Sequence, residues 1–145
     1  ARDHVDASAV LKNPTAQSMA LTLGYHYAFA DFNANQDYLR EHFKVLFAPK
    51  QRTALKYLLK GRADVALASE IFLHAEYLRD SDLEQKLLIS DQADQFYELP
   101  ILVRKGGPID VVTFNQLLDG LAACDCLAPF FASYGLEKLH TYKVK

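Results

Sequence analysis

Short apolar runs alternate with amphipathic segments in the first half of the chain. The runs 19–23, 44–48 and 64–69 are unbroken by polar alternation, which is typical of buried strands covered on both faces. Between them, apolar residues recur at helical spacing in 36–43 and 51–60. The pattern therefore predicts a right-handed βαβαβ core with a parallel sheet, which is an α/β fold class.

The second half predicts more helices and two more strands. Helical spacing of apolar residues predicts a helix over 70–79 and a further turn or two over 82–87. The runs 87–89 and 96–103 look like strands. From 113 to 134 the apolar spacing marks two C-terminal helices.

Composition and charge narrow the class of protein. The chain has 145 residues, of which 50% are hydrophobic, enough for one sizeable core. Its 16 basic and 18 acidic residues give a net charge of −2, which argues against a nucleic-acid or anionic-membrane partner. No apolar run has the length of a membrane helix, and the first residues lack the features of a signal peptide. We expect a mature or excised soluble segment.

Two loops carry the candidate binding residues, because ligands of open parallel sheets bind beyond the carboxyl ends of the strands. The loop 24–29 follows the first strand and combines a glycine, hydrogen-bonding rings and amides that could bind a ligand carboxylate. After the third strand, a carboxylate could pair with a ligand ammonium. Alternatively, the rings only pack the rim of the sheet and Glu70 only stabilises a helix dipole. The candidate ligand-binding residues are Gly24, Tyr25, His26, Tyr27, Ser69 and Glu70.

No pattern in the sequence predicts catalysis, a metal site or a cofactor. The histidines lack zinc-ligand spacing, and no nucleophile elbow, phosphate loop or dinucleotide motif occurs. Cys124 and Cys126 are interpreted as small buried or partly buried free thiols, because two positions apart on a helix they would face different sides. Two acidic pairs are interpreted as solvated surface rather than as a catalytic dyad: Asp80 with Asp82, and Asp91 with Asp94.

Three sequence segments, in the same order along the chain, resemble segments of a known protein family. Residues 58–67, Leu-Leu-Lys-Gly-Arg-Ala-Asp-Val-Ala-Leu, resemble a helix, turn and strand in the second lobe of extracellular solute-binding proteins of the amino-acid type (family 3). Residues 97–106 look like the hinge strand that returns to the first lobe, and 114–118 with 134–136 are similar to the C-terminal helices. The resemblance implies a periplasmic-binding-protein-like (type II) lobe with a central, mainly parallel sheet, plus C-terminal helices.

The resemblance also implies an organisation and a function. Residues 1–18 would be a hinge or linker, 19–95 the second solute-binding lobe, and 96–145 the return strand and helices belonging to the first lobe. The rest of that lobe, with its ligand-binding arginine, would precede this chain. The implied protein is not an enzyme. It binds a small polar solute, commonly an amino acid, in the periplasm for ABC-type transport or signalling, with a membrane transporter or receptor as partner.

The resemblance implies roles for the candidate residues and leaves alternative functions open. The loop 24–27 would be the ligand loop, and Glu70 stands where the family often has an aspartate for the ligand amine. Helices without their native partner surface would expose an apolar patch, which could drive homodimerisation. One alternative is the cytoplasmic effector-binding domain of a LysR-like transcription regulator, which free thiols would favour. Another is an enzyme on this fold, for which turnover lost in a His26→Ala variant would be the sign.

Overall fold

The computed structural model of the chain describes residues 12–97 and 100–134. The chain divides into two compact units between Phe96 and Tyr97. The first unit is mixed α/β, and the described part of the second is helical. In chain order, the first unit contains β1 (Met19–Thr22), a 3₁₀ turn (Ala28–Ala30), α1 (Gln36–His42), β2 (Val45–Ala48), α2 (Gln51–Leu59), β3 (Val65–Ala66), α3 (Glu70–Tyr77) and α4 (Leu83–Lys86). The second contains α5 (Val111–Ala123) and α6 (Leu127–Ala132).

The sheet has three parallel strands in the order β2-β1-β3. Met19 lies opposite Val45 on one side and Val65 on the other. All four residues of β1 are buried, as expected for a central strand covered on both faces. The three predicted strands and the α/β class are therefore confirmed.

Side chains of β1 alternate between two cores, one on each face of the sheet. Met19 and Leu21 point to the face where Tyr27 and Leu39 of α1 are also buried. Ala20 points to the other face, and its core partners are all alanines. These small residues allow α2 to approach the sheet closely. The alanines buried with Ala20 are Ala48, Ala54 and Ala63.

The helices of the first unit begin and end at residues that satisfy their terminal backbone groups. The Asn35 side chain accepts hydrogen bonds from the backbone N–H groups of Asp37 and Tyr38 at the start of α1. After α2, Gly61 has a φ of 65°, a left-handed conformation that favours glycine. Asparagine and glycine are residue types that favour a helix start and a helix end, respectively.

The hydroxyl of Tyr27 takes the place of a strand partner beside the end of β1. The Thr22 N–H donates to this hydroxyl (2.7 Å), which in turn donates to the Thr22 carbonyl (3.2 Å). Pairing of β1 with β3 extends only to Ala20 opposite Ala66. The tyrosine therefore satisfies the backbone of the central strand where β3 has ended.

Two predicted strands are wrong for the residues that the structure describes. Neither 87–89 nor the described part of 96–103 forms a strand. Phe96 is 91% exposed and Leu102 is 89% exposed. Apolar, β-favouring runs form strands only where a neighbouring strand supplies hydrogen bonds and packing. Glu98 and Leu99 of the predicted hinge strand lie outside the described residues, as do 1–11 of the predicted linker and 135–136 of the C-terminal phrase.

The second unit has two helices whose side chains are largely exposed. Asp110 caps α5 by accepting a hydrogen bond from the Thr113 N–H (2.7 Å). Pro129 lies in the first turn of α6, where its missing N–H costs nothing. None of the residues of α5 or α6 is buried. Within the described residues, no helix combines the length and apolarity needed to cross a membrane.

Candidate functional site

The side-chain amide of Gln51 joins the loops that follow all three strands. Gln51 is the first residue of α2, directly after β2. Its Nε2 donates to the hydroxyl of Tyr25, after β1 (2.9 Å). Its Oε1 accepts from the N–H (2.9 Å) and hydroxyl (3.1 Å) of Ser69, after β3. One amide therefore brings Tyr25 and Ser69, two of the predicted site residues, to the same edge of the sheet.

Ser69 acts within this edge as a structural link. Its hydroxyl donates to Gln51 and accepts from the Phe72 N–H (3.3 Å), which caps α3. The residue is half-buried. Because the hydroxyl both donates and accepts inside the protein, Ser69 positions the loop rather than offering an unused donor.

Glu70 and His74 lie one turn apart at the start of α3. Glu70 Oε1 and His74 Nε2 are 3.7 Å apart, a distance at which a protonated imidazole forms an ion pair. Both side chains have access to solvent. The Glu70 carboxylate can therefore reach a ligand cation, and its position in the first turn also stabilises the helix dipole.

The first loop presents only some of its predicted site residues to solvent. Gly24 has a φ of 81° and forms the tight turn after β1. Tyr25 and His26 are exposed. Tyr27 is 4% exposed, belongs to the core and uses its hydroxyl on Thr22. Gly24, Tyr25 and His26 therefore lie at the surface, whereas the Tyr27 side chain lies in the core.

The carboxylate of Asp94 binds the backbone of the first loop. Its two oxygens accept hydrogen bonds from the Ala28 and Phe29 N–H groups, both at 2.9 Å. The neighbouring Gln95 side chain donates to the His26 carbonyl. The interpretation of Asp94 as solvated surface is wrong, because it is half-buried and accepts hydrogen bonds from the first two N–H groups of the 3₁₀ turn. The sequence analysis expected the amides of this loop to bind a ligand carboxylate. Two of them bind the carboxylate of Asp94 instead.

A buried hydroxyl also lies at this end of β1. Thr22 Oγ1 has no hydrogen-bond partner among the described residues, although the residue is only 5% exposed. By the alternation of β1, its side chain lies on the same face as Ala20 and Ala48, under α2. Gln51, Asp94 and Thr22 were not predicted as site residues. No local motif marks them. The contacts of Gln51 and Asp94 are distant in sequence, and Thr22 stands out only through its burial.

The two cysteines differ from their interpretation as buried free thiols. Cys124 and Cys126 are joined by a disulfide bond, and both residues are exposed. They lie in the turn after α5, not on one helix, and Asp125 between them has a φ of 54°. This left-handed residue reverses the chain and brings the two Cα atoms to 5.2 Å, within disulfide range.

The chemistry of metal binding is not found in the described part of the chain. No group of three or more His, Cys, Asp or Glu side chains there could hold a metal ion. Comparison with protein-family models, curated proteins and solved structures gave no match to this chain. The likeness to solute-binding proteins therefore rests on the three sequence segments alone.

Proposed function

We propose that the first unit binds a small polar solute, such as an amino acid, at the carboxyl edge of its sheet. The observation that carries this proposal is the Gln51 amide, which gathers the loops after all three strands. Open parallel sheets bind small ligands at this edge. A preformed polar bridge there lowers the cost of ordering the loops when a solute binds. In this proposal the chain does not turn over its ligand.

The exposed groups around the bridge favour an amphoteric solute. Glu70 offers a carboxylate to a ligand ammonium. The Tyr25 oxygen accepts from Gln51, so its own hydrogen can be donated to a ligand oxygen. Asp94 occupies the amides of Ala28 and Phe29, so a ligand carboxylate would be held elsewhere. In the family that the sequence resembles, an arginine of the first lobe supplies that contact.

The broader proposal is a type II periplasmic solute-binding protein that serves a membrane transporter or receptor. The disulfide supports a periplasmic location over the cytoplasmic LysR-like alternative, because disulfides persist in oxidising compartments. Binding by the chain alone is expected to be weak, since closure of two lobes around a solute normally supplies much of the affinity.

The test is an NMR titration of the full chain with each of the common amino acids. We expect shifts concentrated at Tyr25, Gln51 and Ser69 with at least one solute. Glu70→Gln should weaken binding of that solute about tenfold or more, because a charge-assisted hydrogen bond contributes about 1.5–3 kcal/mol. Glu41→Gln, an exposed glutamate of α1, is the matched control and should bind normally. Shifts mapping only to other surfaces, or none at millimolar solute, would refute the proposal.

A further inference from the structure

The exposed disulfide of the second unit has features of a reactive bond. Cys124 and Cys126 are bonded to each other across a single residue, Asp125. All three residues are exposed, so a small molecule can approach either sulfur. Exposed disulfides are typically the labile ones, whereas structural disulfides resist reduction. We propose that these cysteines form a thiol–disulfide exchange site for small-molecule thiols of the glutathione class.

A purely structural role gives this bond little to stabilise. In the chain-entropy account, the stabilisation from a disulfide grows with the length of the loop that it closes. Here the closed loop contains only Asp125. The bond also does not hold a hydrophobic core together, because neither α5 nor α6 has a buried residue. What it holds is the local turn after α5.

The bond spans a turn whose backbone conformation is uncommon. Asp125 has a φ of 54°, a left-handed conformation that non-glycine residues adopt rarely. Its N–H donates to the Ala122 carbonyl (3.2 Å), and the Cys124 N–H donates to the Gly120 carbonyl (3.1 Å). Reduction removes the covalent restraint on Asp125, so the turn after α5 can relax toward ordinary backbone conformations. The redox state of the pair therefore changes the restraint on this turn.

The exchange step balances in atoms and electrons. A thiolate of the small molecule attacks one cysteine sulfur, the S–S bond breaks, and the other sulfur leaves as a thiolate that takes a proton. A second thiolate then attacks the small-molecule sulfur of the mixed disulfide, releasing the remaining cysteine thiol. Two small thiols are oxidised to one small disulfide, and the protein gains two electrons and two protons. The reverse sequence reoxidises the pair.

The test measures thiols on the full chain in buffers with graded ratios of reduced to oxidised glutathione. Free thiols are trapped with a maleimide and counted by intact mass. We expect a change from no labelled cysteine to two as the ratio rises, with the same curve from either starting state. If the folded chain stays unlabelled in reduced glutathione alone while the urea-unfolded chain becomes labelled, the bond is inert and the proposal fails. Labelling at every ratio would overturn it as well.

Single-cysteine variants test the intermediate. Cys124→Ser and Cys126→Ser should each retain one glutathione as a stable mixed disulfide after exposure to oxidised glutathione. Both positions are exposed, so the substitutions leave packing unchanged, which far-UV circular dichroism checks. The double variant is the control and should take up none. Single variants that form no mixed disulfide would contradict the proposal. None of these measurements depends on solute binding by the first unit.

Discussion

At the scale of single residues, two tyrosine hydroxyls in the first unit have opposite surroundings. The Tyr27 hydroxyl bonds both backbone groups of Thr22. The Tyr77 hydroxyl is buried without a hydrogen-bond partner among the described residues. Burial, and to a smaller extent the carboxylate of Glu84, raises the pKa of Tyr77. The same functional group is therefore expected to stabilise the fold at one position and not at the other.

Replacement of each tyrosine by phenylalanine tests this difference. Tyr27→Phe leaves the buried N–H of Thr22 without its partner, whereas the Thr22 carbonyl keeps its bond from the Tyr25 N–H. The substitution should lower the free energy of unfolding by about 1–3 kcal/mol. Tyr77→Phe removes an unpaired polar atom and should leave that free energy unchanged or slightly higher. Urea unfolding followed by circular dichroism measures both. Equal losses in the two variants would contradict the assignment of the Tyr27 bonds.

The residues that organise the candidate site show why prediction from the sequence is incomplete at this scale. Tyr25 and Ser69 could be chosen because they follow predicted strands. Gln51 and Asp94 could not, because a glutamine at a helix start and an aspartate in a polar connection are common surface residues. The Asp94 carboxylate binds the amide of Ala28, 66 residues earlier in the chain. Only the folded chain brings those groups together.

At the scale of elements, the parallel strands and the helices between them can be predicted from the sequence. The apolar runs indicate the strands, and a capping asparagine and a terminating glycine mark helix ends that agree with them. The two predicted strands that do not form have no such supporting signals around them. The run 87–89 and the described part of 96–103 are as apolar as β2, yet they form no strand. Strand formation depends on a neighbour, which local pattern does not reveal. Likewise, no local pattern reveals that the Tyr27 hydroxyl pairs with the Thr22 backbone beyond the end of β3.

The cap of α5 makes its helix sensitive to acid. The hydrogen bond from the Thr113 N–H lowers the pKa of Asp110 in the folded chain. The folded state therefore binds fewer protons than the unfolded state near this pKa. The contribution of this cap to stability is intact above the ordinary aspartate pKa, about 3.9, and is lost as the pH falls through the lowered value.

An NMR titration of the Asp110 carboxyl carbon measures this effect. We expect its pKa to be lower in the folded chain than in urea. Asp110→Asn keeps a capping oxygen but has no group that titrates. The loss of far-UV circular dichroism from helix at acid pH should therefore be smaller in this variant. An Asp110 pKa identical in the folded and unfolded chains would show that the carboxylate does not cap α5.

At the scale of the whole molecule, the two units differ in how they bury apolar side chains. The first has two cores, whereas α5 and α6 leave large apolar residues exposed. Contiguous exposed apolar surface commonly mediates association. We predict that the second unit pairs with a second copy of the chain. The exposed apolar residues on these helices and beside them include Val111, Val112, Leu117, Leu121, Phe130 and Tyr134.

Sedimentation equilibrium over a range of chain concentrations tests this association. The double variant Leu117→Glu, Leu121→Glu should shift the chain toward monomer, because each leucine buried between copies contributes about 1.5–3 kcal/mol. Gln116→Glu with Asn115→Asp adds the same negative charge at polar positions of α5 and serves as the matched control. A wild-type chain that stays monomeric at every concentration would exclude the prediction.

The strand order β2-β1-β3 also bears on how the chain acquires its structure over time. The central strand β1 precedes both of its neighbours in the sequence. A ribosome that synthesises this chain therefore produces the most buried strand first, before the residues that pair with it exist. The backbone of Met19 stays without its strand partners until Val45, and then Val65, have been added. Such nonlocal pairing slows folding, so the nascent chain presents an apolar segment to chaperones until both neighbouring strands have been synthesised and paired.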